Sequence, residues 1–196
     1  MADMSDAGNA LVALIAGILY PQGTAAASVT GDRLLVYQGW PDPVTLASDL
    51  AAGTIHVSVF PKPGDKVTSI SQDDDDWEQF GNNGAVRELR RQTRLFQISI
   101  WAGVFTRRDM AATIIDAGLA AVSRLALADG SVAVMSYDSS LQDDNQQQAG
   151  IYRRDLLYSL NYATTQVMVL TAIAATVTDV TVGMNGADIA TVSILS

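Results

Sequence analysis

The chain has 196 residues, with 12 Lys and Arg against 21 Asp and Glu, one His and no Cys, for a net charge of −9. That length buries enough apolar surface for one substantial core, and the acidity excludes a protein that coats nucleic acid by neutralising phosphates. Without Cys there is no disulfide framework, no thiolate metal site and no cysteine nucleophile.

The longest apolar run near the start, residues 10–20, falls short of the ~20 residues that span a bilayer. It also lacks the basic flank of a signal peptide, so it reads as a helix of the mature protein. Leu11, Leu14, Ile15, Ile18 and Leu19 recur at helical spacing over residues 6–20, just ahead of Pro21. Residues 22–32 read as a loop and 33–37 as a short strand, broken at Trp40, Pro41, Asp42 and Pro43. Asp42 suits an N-cap, Pro43 the first helical position and Gly53 a left-handed C-cap. The helix they frame turns Leu46, Ala47, Leu50 and Ala51 inward. Residues 54–60 then alternate with period two, placing Ile55, Val57 and Val59 on one face and the lone His56 on the other.

Residues 61–85 hold two prolines, three glycines and the run Asp73, Asp74, Asp75, Asp76; they read as a loop excursion. A long strand follows over 86–102, its second half alternating Phe96, Ile98, Ile100 and Ala102 against Gln97, Ser99 and Trp101. Thr106 and Asp109 have capping-box spacing. Ala111, Ile114, Ile115, Gly118, Leu119, Val122, Leu125 and Ala126 make one apolar stripe that Gly130 ends. The spacing predicts a helix about 33 Å long, enough to cross a sheet. Gly118 in mid-stripe costs about 1 kcal/mol relative to Ala, and the expected reason is the close approach of a neighbouring backbone.

Residues 131–137 and 151–163 read as strands joined by a Gln- and Asp-rich link. Tyr152, Arg154, Leu156, Tyr158, Leu160 and Tyr162 share one face of the second. The pattern predicts an α+β fold over residues 1–163: a mixed, mostly antiparallel sheet with two to three helices packed on it. Residues 164–196 turn to Thr, Val, Ala and Ile with no Lys or Arg. Within them 177–182 and 189–194 read as a β-hairpin around Asn185 and Gly186. This extension is either an extra β module or an arm that adds strands to a neighbour.

Little in the sequence points to chemistry. The four adjacent aspartates lack the alternating ligands and distal Glu of a calcium loop, so Asp73, Asp74, Asp75 and Asp76 read as a solvated or partner-facing loop, with a cation site as the alternative. His56 lies mid-strand with no nucleophile motif near it, and reads as an exposed or hydrogen-bonded strand residue. No phosphate-binding glycine loop or zinc helix motif is present. No catalytic, cofactor-binding or metal-ligating residue is predicted, and the chain is not expected to be an enzyme.

Charge segregation says more. Residues 86–108 carry Arg87, Arg90, Arg91, Arg94, Arg107 and Arg108 against Glu88 alone, a local charge of +5 that leaves −14 on the rest. Such a segment either pairs with the acidic surface of another copy or guards an edge strand against aggregation. Arg153 and Arg154 fall on opposite faces of the last long strand, one an interface candidate and the other a partner for Asp155 or Asp109.

The segment Gln97-Ile98-Ser99-Ile100-Trp101-Ala102, the helix start at Arg108-Asp109, the pair Asp129-Gly130 and the run Ile151-Tyr152-Arg153-Arg154-Asp155-Leu156, with Tyr158 and Tyr162, resemble small neck and tail-completion proteins of tailed bacteriophages, and more narrowly a tail terminator. The resemblance covers residues 10–163. It implies a virion protein, assembled in the host cytoplasm, that forms a homo-oligomeric six-fold ring at the head-proximal end of the tail tube. Such a ring caps the tube, fixes its length and joins it to the head connector or stopper proteins, while genomic DNA passes through the lumen without specific binding. An acidic bore would let DNA slide. The extension at 164–196 and the excursion at 61–85 lie outside the minimal pattern. They keep open a neighbouring connector, stopper or head-completion role, and beyond it a small ligand-binding domain or enzyme with a site assembled in space.

Overall fold

A computed structural model describes residues 4–70, 78–80, 84–169, 177–184 and 187–195. Helix α1 (Met4–Leu19) turns Ala7, Leu11, Ile15 and Leu19 inward, one residue per turn, with Leu14 and Ile18 packed at the margin of the same core. Strand β1 (Leu34–Gln38) follows, and the hydroxyl of Tyr20 stoppers its outer edge: it accepts from the Leu34 N–H and donates to the Leu34 carbonyl, both at 2.9 Å. Helix α2 (Pro43–Ala51) has the predicted frame: the Asp42 carboxylate accepts from the Val44 N–H at 2.9 Å, and Gly53 lies in the left-handed region at φ +85°. Only Leu46 and Leu50 are buried on it; Ala47 and Ala51, expected inside, are exposed because the short helix touches the sheet along a single row.

The main sheet has the order β1-β2-β4-β7-β6-β5, with β3 also pairing β4. Its strands are β2 (Ile55–Ile70), β3 (Glu78–Phe80), β4 (Gly84–Ala102), β5 (Arg124–Ala126), β6 (Val132–Asp143) and β7 (Tyr152–Val169). Only β1 and β2 run parallel, so the sheet is mixed and mostly antiparallel, and the fold is α+β as the sequence predicts. A second sheet consists of β8 (Val177–Met184) and β9 (Ala187–Leu195), paired antiparallel. The expected turn residues Asn185 and Gly186 lie outside the described residues.

The extents of β2 and α3 are corrected. Residues 61–70, read as loop, continue β2. Pairing with β4 outweighs the two prolines because they fall where the register shifts, between Pro61 and Asp65, and Gly64 takes φ +87° there; at a bulge no ladder N–H is missed. The second correction concerns helix α3 (Phe105–Ala120), which is shorter than its apolar stripe. Leu125 and Ala126 leave the helix to form β5 against β6, so tertiary pairing ends it. No capping box forms either: the N-cap is Val104, without a side-chain bond, and the Asp109 carboxylate is taken up by Arg108.

The core lies between one sheet face and helices α1 and α3. Ile55, Val57, Val59, Phe96, Ile98, Ile100, Leu156, Tyr158, Leu160 and Tyr162 supply the sheet side. Tyr158 ties sheet to helix by donating to the Asp116 carboxylate at 2.6 Å; burial first, then that bond, push its pKa above the usual phenol range. A Cβ on Gly118 would meet the Ile18 side chain at 2.7 Å. The close neighbour is therefore a side chain of α1 and not a backbone. Gly103 is tighter, since a Cβ there would sit 2.5 Å from the Leu50 carbonyl oxygen, which cannot swing aside. Gly103→Ala is expected to push α2 off the sheet and cost about 1–3 kcal/mol, read as a lower urea midpoint; an unchanged midpoint would refute the contact.

Candidate assembly interface

Strands β4 and β7 run on well past the helix-packed core, which takes from β4 only Phe96 and the alternate residues to Ala102. At ~3.3 Å per residue β4 is about 60 Å long. Its first half, with residues 160–169 of β7 on one side and 65–70 of β2 on the other, is a three-stranded ribbon. Arg90, Gln92 and Arg94 share one face of this ribbon by alternation and Arg91 and Thr93 the other.

The ribbon arginines are held in different ways. Arg87 Nη2 donates to Gln166 Oε1 at 3.1 Å, Arg94 Nε donates to the Lys62 carbonyl at 3.3 Å, and Arg91 pairs with Glu88 at 2.6 Å while reaching Asn161. Arg90 is exposed, as are Lys66 of β2 and the acidic Asp65 beside it. Lys62 and Lys66 thus join the basic surface, which a count along β4 alone misses.

The two remaining arginines of the +5 segment lie elsewhere, at the start of α3. Arg107 is 3.5 Å from Asp32 and stays half-exposed. Arg108 points inward and is 1% exposed. Its Nε and Nη2 donate to Asp109 at 3.0 and 3.2 Å, and its Nη1 donates to Asp144. Burial works against the guanidinium charge, but the bonds and fields of the two carboxylates outweigh it and hold the pKa above its ordinary value. Arg108 ties the subunit together and presents no charge outward. The acidic run Asp73, Asp74, Asp75 and Asp76 lies outside the described residues.

The sheet face away from α1 and α3 is polar and carries a chain of side-chain hydrogen bonds. Gln97 Nε2 donates to Ser99 Oγ at 3.0 Å, Ser99 donates to Asp155 at 2.6 Å, and Trp101 Nε1 donates to Ser58 Oγ at 3.2 Å. Arg153 bridges Asp155 and Asp143 at 3.2 and 3.3 Å and lies 5.1 Å from the Trp101 ring centre, while Arg154 donates to Ser140 and stands 3.9 Å from Asp109. Both arginines are paired inside the subunit. Trp40, 59% exposed, stacks on Phe60 at 4.3 Å. With Pro61, Lys62, Gln97 and Leu141 they border a hollow of about 420 Å³. By sequence alone Trp40 marks only a strand break; the signal for a platform is a large aromatic held between Gly39 and Pro41.

His56 is buried on this face, as a hydrogen-bonded residue. Its Nδ1 is 3.0 Å from the Tyr37 hydroxyl and its Nε2 3.2 Å from Asp49. Burial, then the negative charge of Asp49, push the Tyr37 pKa up to about 12. An unfolded Tyr ionises near 10, so between pH 10 and 12 the unfolded chain releases its proton first and stability falls as pH rises. In Tyr37→Phe that contribution is gone. The stability gap between wild type and variant is expected to narrow from pH 9 to pH 11 in urea unfolding; an unchanged gap would contradict the shift.

Fold and surfaces together define an α+β chain with a basic ribbon on an acidic body and an aromatic platform on its polar face. No family model matches the chain, and no curated protein does. Chains of solved structures do match, among them one described as "Virion of native gene transfer agent (GTA) particle". It is 19% identical with a TM-score of 0.46, over 83% of this chain and 100% of that one.

Proposed function

We propose that this chain is a structural subunit of a virion, a tail terminator. Copies assemble head to tail into a six-fold ring on the head-proximal end of the tail tube. The ring caps the tube and joins it to the connector while DNA passes through an acidic bore. The observation that carries the reading is the basic ribbon of Arg87, Arg90, Arg91, Arg94, Lys62 and Lys66 on a chain whose remainder is strongly acidic. A closed ring needs two complementary flanks on one subunit, and opposite charge steers and registers such contacts. The motifs at residues 97–102 and 151–156 support the same family. Trp40 on Phe60 offers an apolar anchor, of the residue type that dominates binding energy, for a neighbour in the neck.

Removing the gene from a particle-producing strain tests the role. Tubes of uncontrolled length without heads are expected by electron microscopy. Tails of normal length that fail to join heads would instead indicate a neighbouring connector or stopper, and normal joined particles would contradict both.

A further inference from the structure

Trp40 stands between two hollows. The larger, about 420 Å³, is bordered also by Phe60 and Lys62, and the smaller, about 240 Å³, by Trp101 and Leu46; Arg153 borders both. The indole is fixed in place although 59% exposed. On one side of it in the chain the Gly39 N–H donates to the Val59 carbonyl at 2.9 Å, and on the other Pro41 is buried. One ring face lies on Phe60, with 4.3 Å between ring centres, which leaves the opposite face open. A large aromatic held rigid and bare suits a ligand, because little freedom is left to lose on contact.

The larger hollow also has a polar lining that the sheet holds in order. Asp155 and Gln97 are only 3% and 5% exposed, yet both border it. Ser99 donates to Asp155 Oδ1 at 2.6 Å, Gln97 Nε2 donates to Ser99 at 3.0 Å, and Arg153 lies 3.2 Å from Asp155 Oδ2. With Nε2 committed to Ser99, Gln97 keeps an acceptor to offer: among the described residues no group donates to its Oε1. The buried Nε of Arg153 likewise has no acceptor among the described residues. An oriented amide oxygen on a buried side chain, beside an aromatic platform, is the arrangement of a binding pocket, and 420 Å³ falls within the roughly 300–1,000 Å³ of ligand sites.

The lining selects the class of ligand. Its charges nearly cancel, with Lys62 and Arg153 against Asp155 in the larger hollow and Arg153 against Asp143 in the smaller. An anion would meet a carboxylate in either hollow, and a cation would meet the guanidinium. A hydroxyl both donates and accepts, so a neutral polyhydroxyl ligand matches this mixture. A peptide matches it less well: four of the five prolines, Pro41, Pro43, Pro61 and Pro63, form the walls, and proline presents no N–H to a peptide carbonyl. A pyranose unites the two requirements, with a C–H face that settles on the electron-rich face of an aromatic ring and hydroxyls around its rim.

We infer that the hollows beside Trp40 bind a neutral saccharide. One pyranose stacks on the open indole face with its hydroxyls on Gln97, Asp155 and Lys62, and a second unit continues past Trp40 into the smaller hollow. The inference goes beyond the proposed function and is independent of it, because both hollows are built within one copy. A neighbour anchored on Trp40 in the neck would compete with the saccharide, so the purified, unassembled full-length chain is the protein to test.

Saturation-transfer NMR with neutral di- and trisaccharides of glucose, galactose, mannose and N-acetylglucosamine provides the test, with a nucleoside monophosphate and a proline-rich peptide as competing probes. At least one saccharide is expected to bind with a Kd at or below ~10 mM, and saturation should reach the C–H protons of one ring face. Trp40→Ala, a change at an exposed side chain, should weaken it at least ~10-fold. Gln97→Met, which removes the free acceptor at similar volume, should weaken it about fivefold. Phe105→Ala, at an exposed aromatic outside both hollows, should leave it unchanged. Failure of every saccharide to bind, binding that survives Trp40→Ala, or an equal loss in Phe105→Ala overturns the inference. Tighter binding of the nucleotide or the peptide at Trp40 overturns it too, and assigns the pocket to that occupant.

Discussion

Replacing Asp109 and Asp144 together by Asn is expected to destabilise the subunit by about 3–5 kcal/mol, the cost of breaking a buried ion pair by removing its counter-charge. The guanidinium of Arg108 is nearly inaccessible, and its neighbours supply nothing else of equal strength: the Tyr152 ring centre is 6.0 Å away. Its position in the first turn of α3 adds to the need, because the positive end of a helix dipole disfavours a cation. Each single Asn variant keeps one carboxylate and should lose less. Adding Arg108→Met to the double variant removes the stranded charge and should recover much of the loss, since apolar replacements of buried pairs are often neutral. Urea unfolding of the four variants beside wild type reads this directly. A double variant within 1 kcal/mol of wild type would mean that the carboxylates do not hold the arginine.

The second large effect is on assembly. Arg90→Glu with Lys66→Glu changes two exposed ribbon charges, so the isolated subunit should keep its stability within about 0.5 kcal/mol. In the proposed ring the same change sets like charges face to face. At a cost of several kcal/mol per contact, association is expected to weaken at least ~100-fold, with the deficit smaller in low-charge contacts screened by salt. Joined heads and tails should accordingly be lost while the purified variant unfolds like wild type. Normal joining would assign the basic ribbon to edge protection alone.

Features written in adjacent residues were legible in the sequence. Asp42, Pro43 and Gly53 framed α2 because capping is a local hydrogen-bond matter. The alternation at residues 96–102 and 156–162 placed the sheet side of the core because period two needs no partner to be seen. What failed depended on distant chain. Pro61, Pro63 and Gly64 look like a loop until β4 is alongside to pair. Leu125 continues a helical stripe until β6 offers it a strand partner. The charge count found the basic segment but not its division, since nothing in Arg107-Arg108 says that one side chain points out and the next turns inward to Asp144, a residue 36 positions away. Lys62 and Lys66 were missed as ribbon charges for the same reason.

Imaging of intact particles at side-chain resolution tests the central claim most directly. The account predicts a closed ring of this chain at the head-proximal end of the tail tube, with Arg90 and Lys66 facing acidic groups of the adjacent copy. Finding the chain at another place in the particle, or a ring with Arg90, Arg91 and Arg94 lining the channel, would contradict it.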